Sequence, residues 1–153
     1  MPGKPLDTSA TEALLASAEI GRLATVDADG FPYVVPVQFA WHNGRGYIHG
    51  RNGGEKLGNL LACSKVGFEI DAPGSLRVGK EPCNTSTNFS SVIIRGIARI
   101  ADSLTEKEAA LDLLVAKYVP QHTGKAYPDA MLEQTVVIVI EPESCTGKCN
   151  SAA

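Results

Sequence analysis

Long hydrophobic runs are missing from this chain. Its longest purely apolar stretch, Val136 to Ile140, is far too short to span a bilayer, and no membrane partner is expected. The N-terminal Met1-Pro2-Gly3-Lys4-Pro5-Leu6-Asp7 lacks the apolar core of a secretory signal, so a cytoplasmic location is expected. Basic runs are missing too. No five cations stand together and the net charge is -3, which argues against a nucleic-acid partner, whose binders present a basic face. Cysteine is sparse: four occur, at 63, 83, 145 and 149, in no common zinc spacing. Free thiols are the expectation in a cytosolic chain, with Cys145 and Cys149 able to pair on oxidation. Only three histidines are present, none paired at metal-ligand spacing, so no metal site is expected. Gly-x-Gly-x-x-Gly and Gly-x-Ser-x-Gly are both absent, which removes the dinucleotide fingerprint and the nucleophile elbow. No carboxylate pair suited to glycosidase chemistry stands out.

What is present is ordinary in bulk. The 153 residues, 44% hydrophobic and 20% charged, fit one globular domain with a real core and no staples. Residues 1–8 and 149–153 read as flexible ends. Ser9-Ala-Thr-Glu12 has the form of a capping box, predicting a helix over 10–18. Residues 19–27 alternate as a first strand, followed by the turn signal Asp29-Gly30. A second strand spans 32–42, with Pro36 marking an edge, a bulge or a break in pairing. Asn43-Gly44 is the strongest hairpin signal and leads to a third strand, 46–50. Residues 65–71 give a fourth, and 89–100 a fifth that is apolar on both faces. Between them, 72–88 reads as a long polar loop. Ser103-Leu-Thr-Glu106 is a second capping box, opening a helix that Pro120 stops. A polar loop over 119–130 precedes a sixth strand, 135–141, ended by Pro142.

Hairpin-linked strands with few helices predict a mainly β fold, an antiparallel barrel or sandwich rather than a doubly wound sheet. The two-faced apolar strands need covering on the outside. The 104–118 helix can cover part of one, and a second copy of the chain the rest, which predicts a homodimer.

One stretch carries chemistry: Tyr47-Ile-His-Gly-Arg-Asn-Gly-Gly-Glu-Lys-Leu-Gly-Asn-Leu-Leu61. A strand end passes through a glycine turn into a helix start, with Arg51 and Lys56 on either side. Free backbone amides at a helix N-terminus attract anions, and Gly53 and Gly54 allow close approach. A phosphate site and a plain solvated turn are the competing readings. His49, directly before the turn, is a candidate cofactor contact or proton donor, or an ordinary strand-end histidine. Arg95 and Arg99, on one face of the fifth strand, could meet an anion, an interface or salt-bridge partners.

Taken in order, these motifs resemble a known family. Gly21-Arg-Leu-Ala-Thr25, Asp29-Gly30-Phe-Pro-Tyr33, Val35-Pro-Val-Gln-Phe39, Tyr47-Ile-His49 with Lys56, Val66-Gly-Phe68, Ser91-Val-Ile-Ile-Arg-Gly96 and Thr146-Gly147-Lys148 are similar to the FMN-binding split-barrel, or pyridoxamine 5'-phosphate oxidase-like, proteins. The Tyr-x-His and terminal Thr-Gly-Lys look most like the nitroimidazole-resistance reductase branch. True oxidases carry Ser-Arg-Lys where this chain has Gly54-Glu55-Lys56, so pyridoxamine phosphate oxidation is not expected.

The resemblance implies a six-stranded antiparallel split β-barrel of Greek-key type with a few peripheral helices. It also implies a homodimer with FMN at the subunit interface. Lys56 and Arg51 would hold the phosphate, with His49 and Gly50 beside it. Val35, Pro36 and Val37 would line the flavin ring, and Ser91 stands where the oxidases place a glutamine. The implied activity is reduction of a small organic acceptor, a nitro-compound or quinone, by electrons from a reduced nicotinamide. The alternative is a non-catalytic protein holding flavin, haem or a deazaflavin.

Overall fold

The computed structural model describes residues 3–150. Its elements in chain order are β1 (Lys4–Pro5), α1 (Thr8–Ser17), β2 (Ile20–Val26), β3 (Pro32–Gln38), β4 (Ala40–His42), β5 (Arg45–Arg51), α2 (Glu55–Ala62), β6 (Lys65–Arg77), β7 (Ser86–Ile100), α3 (Leu104–Tyr118), α4 (Asp129–Gln134) and β8 (Thr135–Cys149). All pairings are antiparallel, and the sheet order is β3-β2-β6-β7-β8-β5-β4, with β1 added on β8. The long β6-β7-β8 meander is thus flanked by two hairpins, β2–β3 beside β6 and β4–β5 beside β8. The sheet curls until β3 touches β5. One face of β2, β5, β6, β7 and β8 therefore encloses a single core that includes Leu23, Ile48, Phe68, Ile94 and Ile138, with Leu15 of α1. The expected antiparallel split barrel is present, with its few helices outside.

Eight strands replace the expected six, and each difference has a local cause. The second strand breaks at Phe39 into β3 and β4 because Tyr118 takes over the backbone there. The Tyr118 hydroxyl accepts from the Phe39 amide at 3.0 Å and donates toward its carbonyl at 2.9 Å. Within the stretch expected to be flexible at the start, Lys4 and Pro5 pair with Cys149 and Lys148, and the Leu6 amide donates to the Gly147 carbonyl. Residues 1–2 and 151–153, also expected to be flexible, lie outside the described residues.

Helix α1 starts earlier than its predicted box. Asp7 caps it, accepting from the Ala10 amide at 2.7 Å, while Glu12 accepts from the Trp41 indole instead. The predicted 72–88 loop is mostly a hairpin arm. Ala72 pairs with Ser90, Pro73 with Phe89, Leu76 with Thr87 and Arg77 with Ser86, around an irregularity between Pro73 and Leu76. Pro142 does not end the last strand. A register shift opposite Arg95 and Gly96 absorbs it, and pairing runs on to Cys149. Gly96 makes this close approach workable, since a Cβ there would stand 2.3 Å from the Glu141 carbonyl oxygen. The continued strand also separates Cys145 from Cys149. Four residues of strand is roughly 13 Å, well beyond disulfide reach, so these thiols do not pair within the chain.

The turn, edge-strand and second-cap expectations hold. Asn43 (φ 50°) and Gly44 (φ 72°) form the two-residue hairpin turn. Pro36 lies on β3, an edge of the sheet. The Ser103 hydroxyl caps α3 through the Glu106 amide at 3.1 Å, and the Glu106 carboxylate returns to the Asp102 amide. The predicted 119–130 loop holds a single 3-10 turn, Pro120–His122, and the start of α4. Helix α3 covers the outer face of β8: Val137 and Val139 are buried against Ala110, with Tyr47, Ala101 and Leu111 packed around them. Among the described residues, no helix is long and apolar enough to cross a membrane, and no group of three metal-ligating side chains occurs.

Candidate functional site

Alternation along β5 decides what each side chain meets. Gly46 and Ile48 are buried, Ile48 in the barrel core, whereas Tyr47 packs outward under α3. His49 follows on the same outward face. With Gln38 of β3 and Leu111, Leu114, Val115, Tyr118 and Val119 around α3, it lines a groove of about 320 Å³. The α3 wall of this groove is fixed at its C-terminal end. The Tyr118 hydroxyl lies 2.5 Å from the Glu19 carbonyl as well as on Phe39. The Lys117 ammonium donates to the Ala18 carbonyl at 2.6 Å and sits 4.0 Å above the Phe39 ring.

The glycine turn after β5 forms a cradle beside that groove. Gly53 (φ 144°) and Gly54 (φ 92°) take backbone conformations that other residues resist, and they deliver the chain directly into α2. No side chain caps α2, so its first amides present partial positive charge outward. Lys56 stands in that first turn and folds back over β5: a Cβ on Gly50 would lie 3.3 Å from its ammonium nitrogen. Gly50 thus gives Lys56 its place. Helix α2 is anchored from behind by buried Leu57, Leu60 and Asn59, whose amide donates to the Thr25 hydroxyl at 3.1 Å. Burial first, and the Lys56 charge second, push the His49 imidazole below its ordinary value. The ring remains exposed at the groove mouth, and the downward direction favours its neutral form.

His49, Gly50 and Lys56 are brought together. Arg51 edges a separate hollow with Asn52, Met131, Glu133, Gln134 and Thr135 at α4. The Val35 and Val37 side chains pack toward the core, leaving Pro36 and Gln38 on the outer side of the edge strand. Ser91 stands far away. It pairs with Lys148 while His49 pairs with Val137, eleven residues along β8, or roughly 30 Å. It lines a hollow on the bare outer face of β7 and β8.

Comparison with known proteins fits this architecture. The sequence profile described as pyridoxamine 5'-phosphate oxidase matches residues 7–149. The chain belongs to the pyridoxamine 5'-phosphate oxidase family. No curated protein matches it. Among solved structures it is similar to a candidate 5-nitroimidazole antibiotic resistance protein from Bacteroides thetaiotaomicron (24% identity, TM-score 0.83), covering 97% of this chain and 89% of that one. It is also similar to the FAD and heme binding protein from Mycobacterium smegmatis (20% identity, TM-score 0.88), covering 95% of this chain and 72% of that one. A third likeness is to a FAD-binding protein from Mesorhizobium loti (21% identity, TM-score 0.70), covering 99% and 100%.

In this family member the sequence motifs located the cradle but missed the groove wall. Gln38 and the outer side of α3 come from distant segments. Their one sequence signal was that α3 is apolar on more than one side, through Leu111 and Val115 as well as Ala110 and Leu114. Together the two parts set the Lys56 ammonium and the uncapped start of α2 beside an apolar slot that carries one imidazole.

Proposed function

We propose that this chain is a flavin-binding protein, with FMN as the form that best suits a compact phosphate seat. The carrying observation is the uncapped start of α2 with the Lys56 ammonium folded over Gly50. These residues suit a phosphomonoester: the Lys56 ammonium lies where a side chain on Gly50 would intrude, and it belongs to the first turn of a helix whose start no side chain caps. Glu55 is exposed, so water screens its charge from that seat. His49 and Gly50 would border the phosphate end. Edge strand β3, through Val35, Pro36 and Val37, would offer backbone groups to the ring, and Arg51 would add long-range attraction from the rim.

Ser91 joins such a site only from a second copy, given its distance from His49 along β8. The reading therefore includes a homodimer with the cofactor between subunits. The bare outer face of β7, where Ile93 is 49% exposed, supports it. A bound flavin supplies the hydride and electron transfer, and the protein's part is binding, orientation and water exclusion. The reaction proposed is reduction of a nitro-compound or quinone with electrons from NADH or NADPH. The proteins named for FAD binding support the flavin reading.

The test is to purify the protein, denature it, and record the spectrum and mass of any released molecule. FMN is the expected result. A haem spectrum would overturn it in favour of the haem alternative, which His49 in an apolar groove would serve as a ligand.

A further inference from the structure

Three polar side chains are buried among the described residues: Thr11, Thr25 and Asn59. Thr11 donates to the Asp7 carbonyl at the start of its own helix. The other two meet inside the barrel. The Asn59 amide of α2 donates to the Thr25 hydroxyl of β2 at 3.1 Å, and that hydroxyl donates toward the Tyr33 carbonyl of β3 at 3.4 Å. This contact has direction. The other buried side chains of α2 to reach the barrel, Leu57 and Leu60, make apolar contact, which is non-directional and tolerates turning or sliding. The pair is closed within one copy of the chain, Thr25 at 1% exposure and Asn59 at 7%.

We propose that Asn59 and Thr25 are positioning residues, which set the rotation of α2 on β2 and so the place of Lys56. Asn59 follows Lys56 by three residues, so the two side chains spring from neighbouring points on the helix. Fixing one against β2 fixes the direction of the other over Gly50. The bonds run from the Asn59 amide through the Thr25 hydroxyl to the Tyr33 carbonyl, two residues before Val35. They tie the start of α2 to the strand proposed for the flavin ring, and hold the two ends of that site at one spacing. Stability does not require the pair. Leucine and valine in the same places leave no polar group unsatisfied, and paired apolar replacements of similar shape are close to neutral. The polar pair instead selects one arrangement where apolar packing alone allows several. Its consequence for FMN rests on the flavin reading, whereas the placement of α2 does not.

The experiment compares the parent with the double variant Thr25→Val/Asn59→Leu, and each of these with Lys56→Ala added. The double variant should melt close to the parent yet bind FMN about 10-fold or more weakly in a fluorescence titration. Adding Lys56→Ala, expected to weaken the parent about 10- to 150-fold, should then change little, because the two effects are coupled. Thr25→Ser keeps the hydroxyl and should keep the parent affinity. Hydrogen exchange without flavin reads the placement itself. The Leu57 and Gly58 amides, both bonded to the Gly54 carbonyl, should exchange faster in the double variant, while Val92 and Ile94 of β7 keep their parent rates. Parent-like exchange at Leu57 and Gly58 overturns the proposal, as does an equal Lys56→Ala loss in both backgrounds. A double variant that melts far below the parent and exchanges faster throughout also overturns it, since the pair then serves the fold alone. Faster local exchange in a protein that takes no FMN would sink the flavin reading and leave the positioning role standing. Full FMN affinity with unchanged exchange would do the reverse.

Discussion

The two ends of β8 differ more than any other pair of regions in the molecule. From Val136 to Ile140 the strand is buried on both faces, with Ile138 and Ile140 in the barrel and Val137 and Val139 beneath α3. From Ser144 to Thr146 it is exposed on both. The neighbouring strand repeats the contrast in two arginines of one face. Arg99 is held by Glu106 at 2.7 Å, Glu141 at 3.2 Å and Asp102 at 3.4 Å, while Arg95, four residues earlier, has no ion pair among the described residues. A single chain completes one end. The other end leaves donors and apolar surface open to solvent. The difference separates residues that hold the fold from residues free to bind.

Removing each arginine should break this comparison if it is wrong. Arg99→Ala leaves carboxylates unpaired and should cost about 1.5–3 kcal/mol in urea unfolding, whereas Arg95→Ala should stay within about 0.5 kcal/mol. Equal losses would erase the distinction. The same network sets an acid response. Hydrogen bonding from Arg99 pulls the Glu106 carboxyl from its ordinary 4.5 down to about 2. Because the folded value is the lower one, its contribution is complete above 4.5 and drains away as pH falls toward 2. The parent should lose stability across that window faster than Glu106→Gln.

A smaller effect is expected at the bare end. Ile93→Lys should leave thermal stability nearly unchanged yet weaken dimerisation about 10-fold or more by sedimentation at micromolar concentration. A parent that sediments as a stable monomer would remove the composite site altogether.

Features encoded within a few residues could be read in the sequence. The Asn43-Gly44 turn, the Ser103 box, the edge signal of Pro36 and the His49–Lys56 cradle all lie in single short segments. What could not be read depends on partners far along the chain. Tyr118 breaks a strand at Phe39, 79 residues away. Pro142 passes through the sheet because Gly96 faces it. The 72–88 arm is polar on its surface, yet β6 and β7 pair through most of it. Gln38 and the α3 wall reach the groove through tertiary packing alone. Arg51 shares the outward parity of His49, but β5 ends there and the side chain borders α4 instead. Asp7 displaced the Ser9 box because its neighbour Leu6 is pinned to β8.

The most direct test of the account is FMN titration of the parent and Lys56→Ala, followed by quenching of flavin fluorescence. A charge-assisted hydrogen bond contributes roughly 1.5–3 kcal/mol, so the variant should bind FMN about 10- to 150-fold more weakly. Equal affinity in the two proteins would contradict the assignment of the Lys56–Gly50 cradle as the phosphate seat.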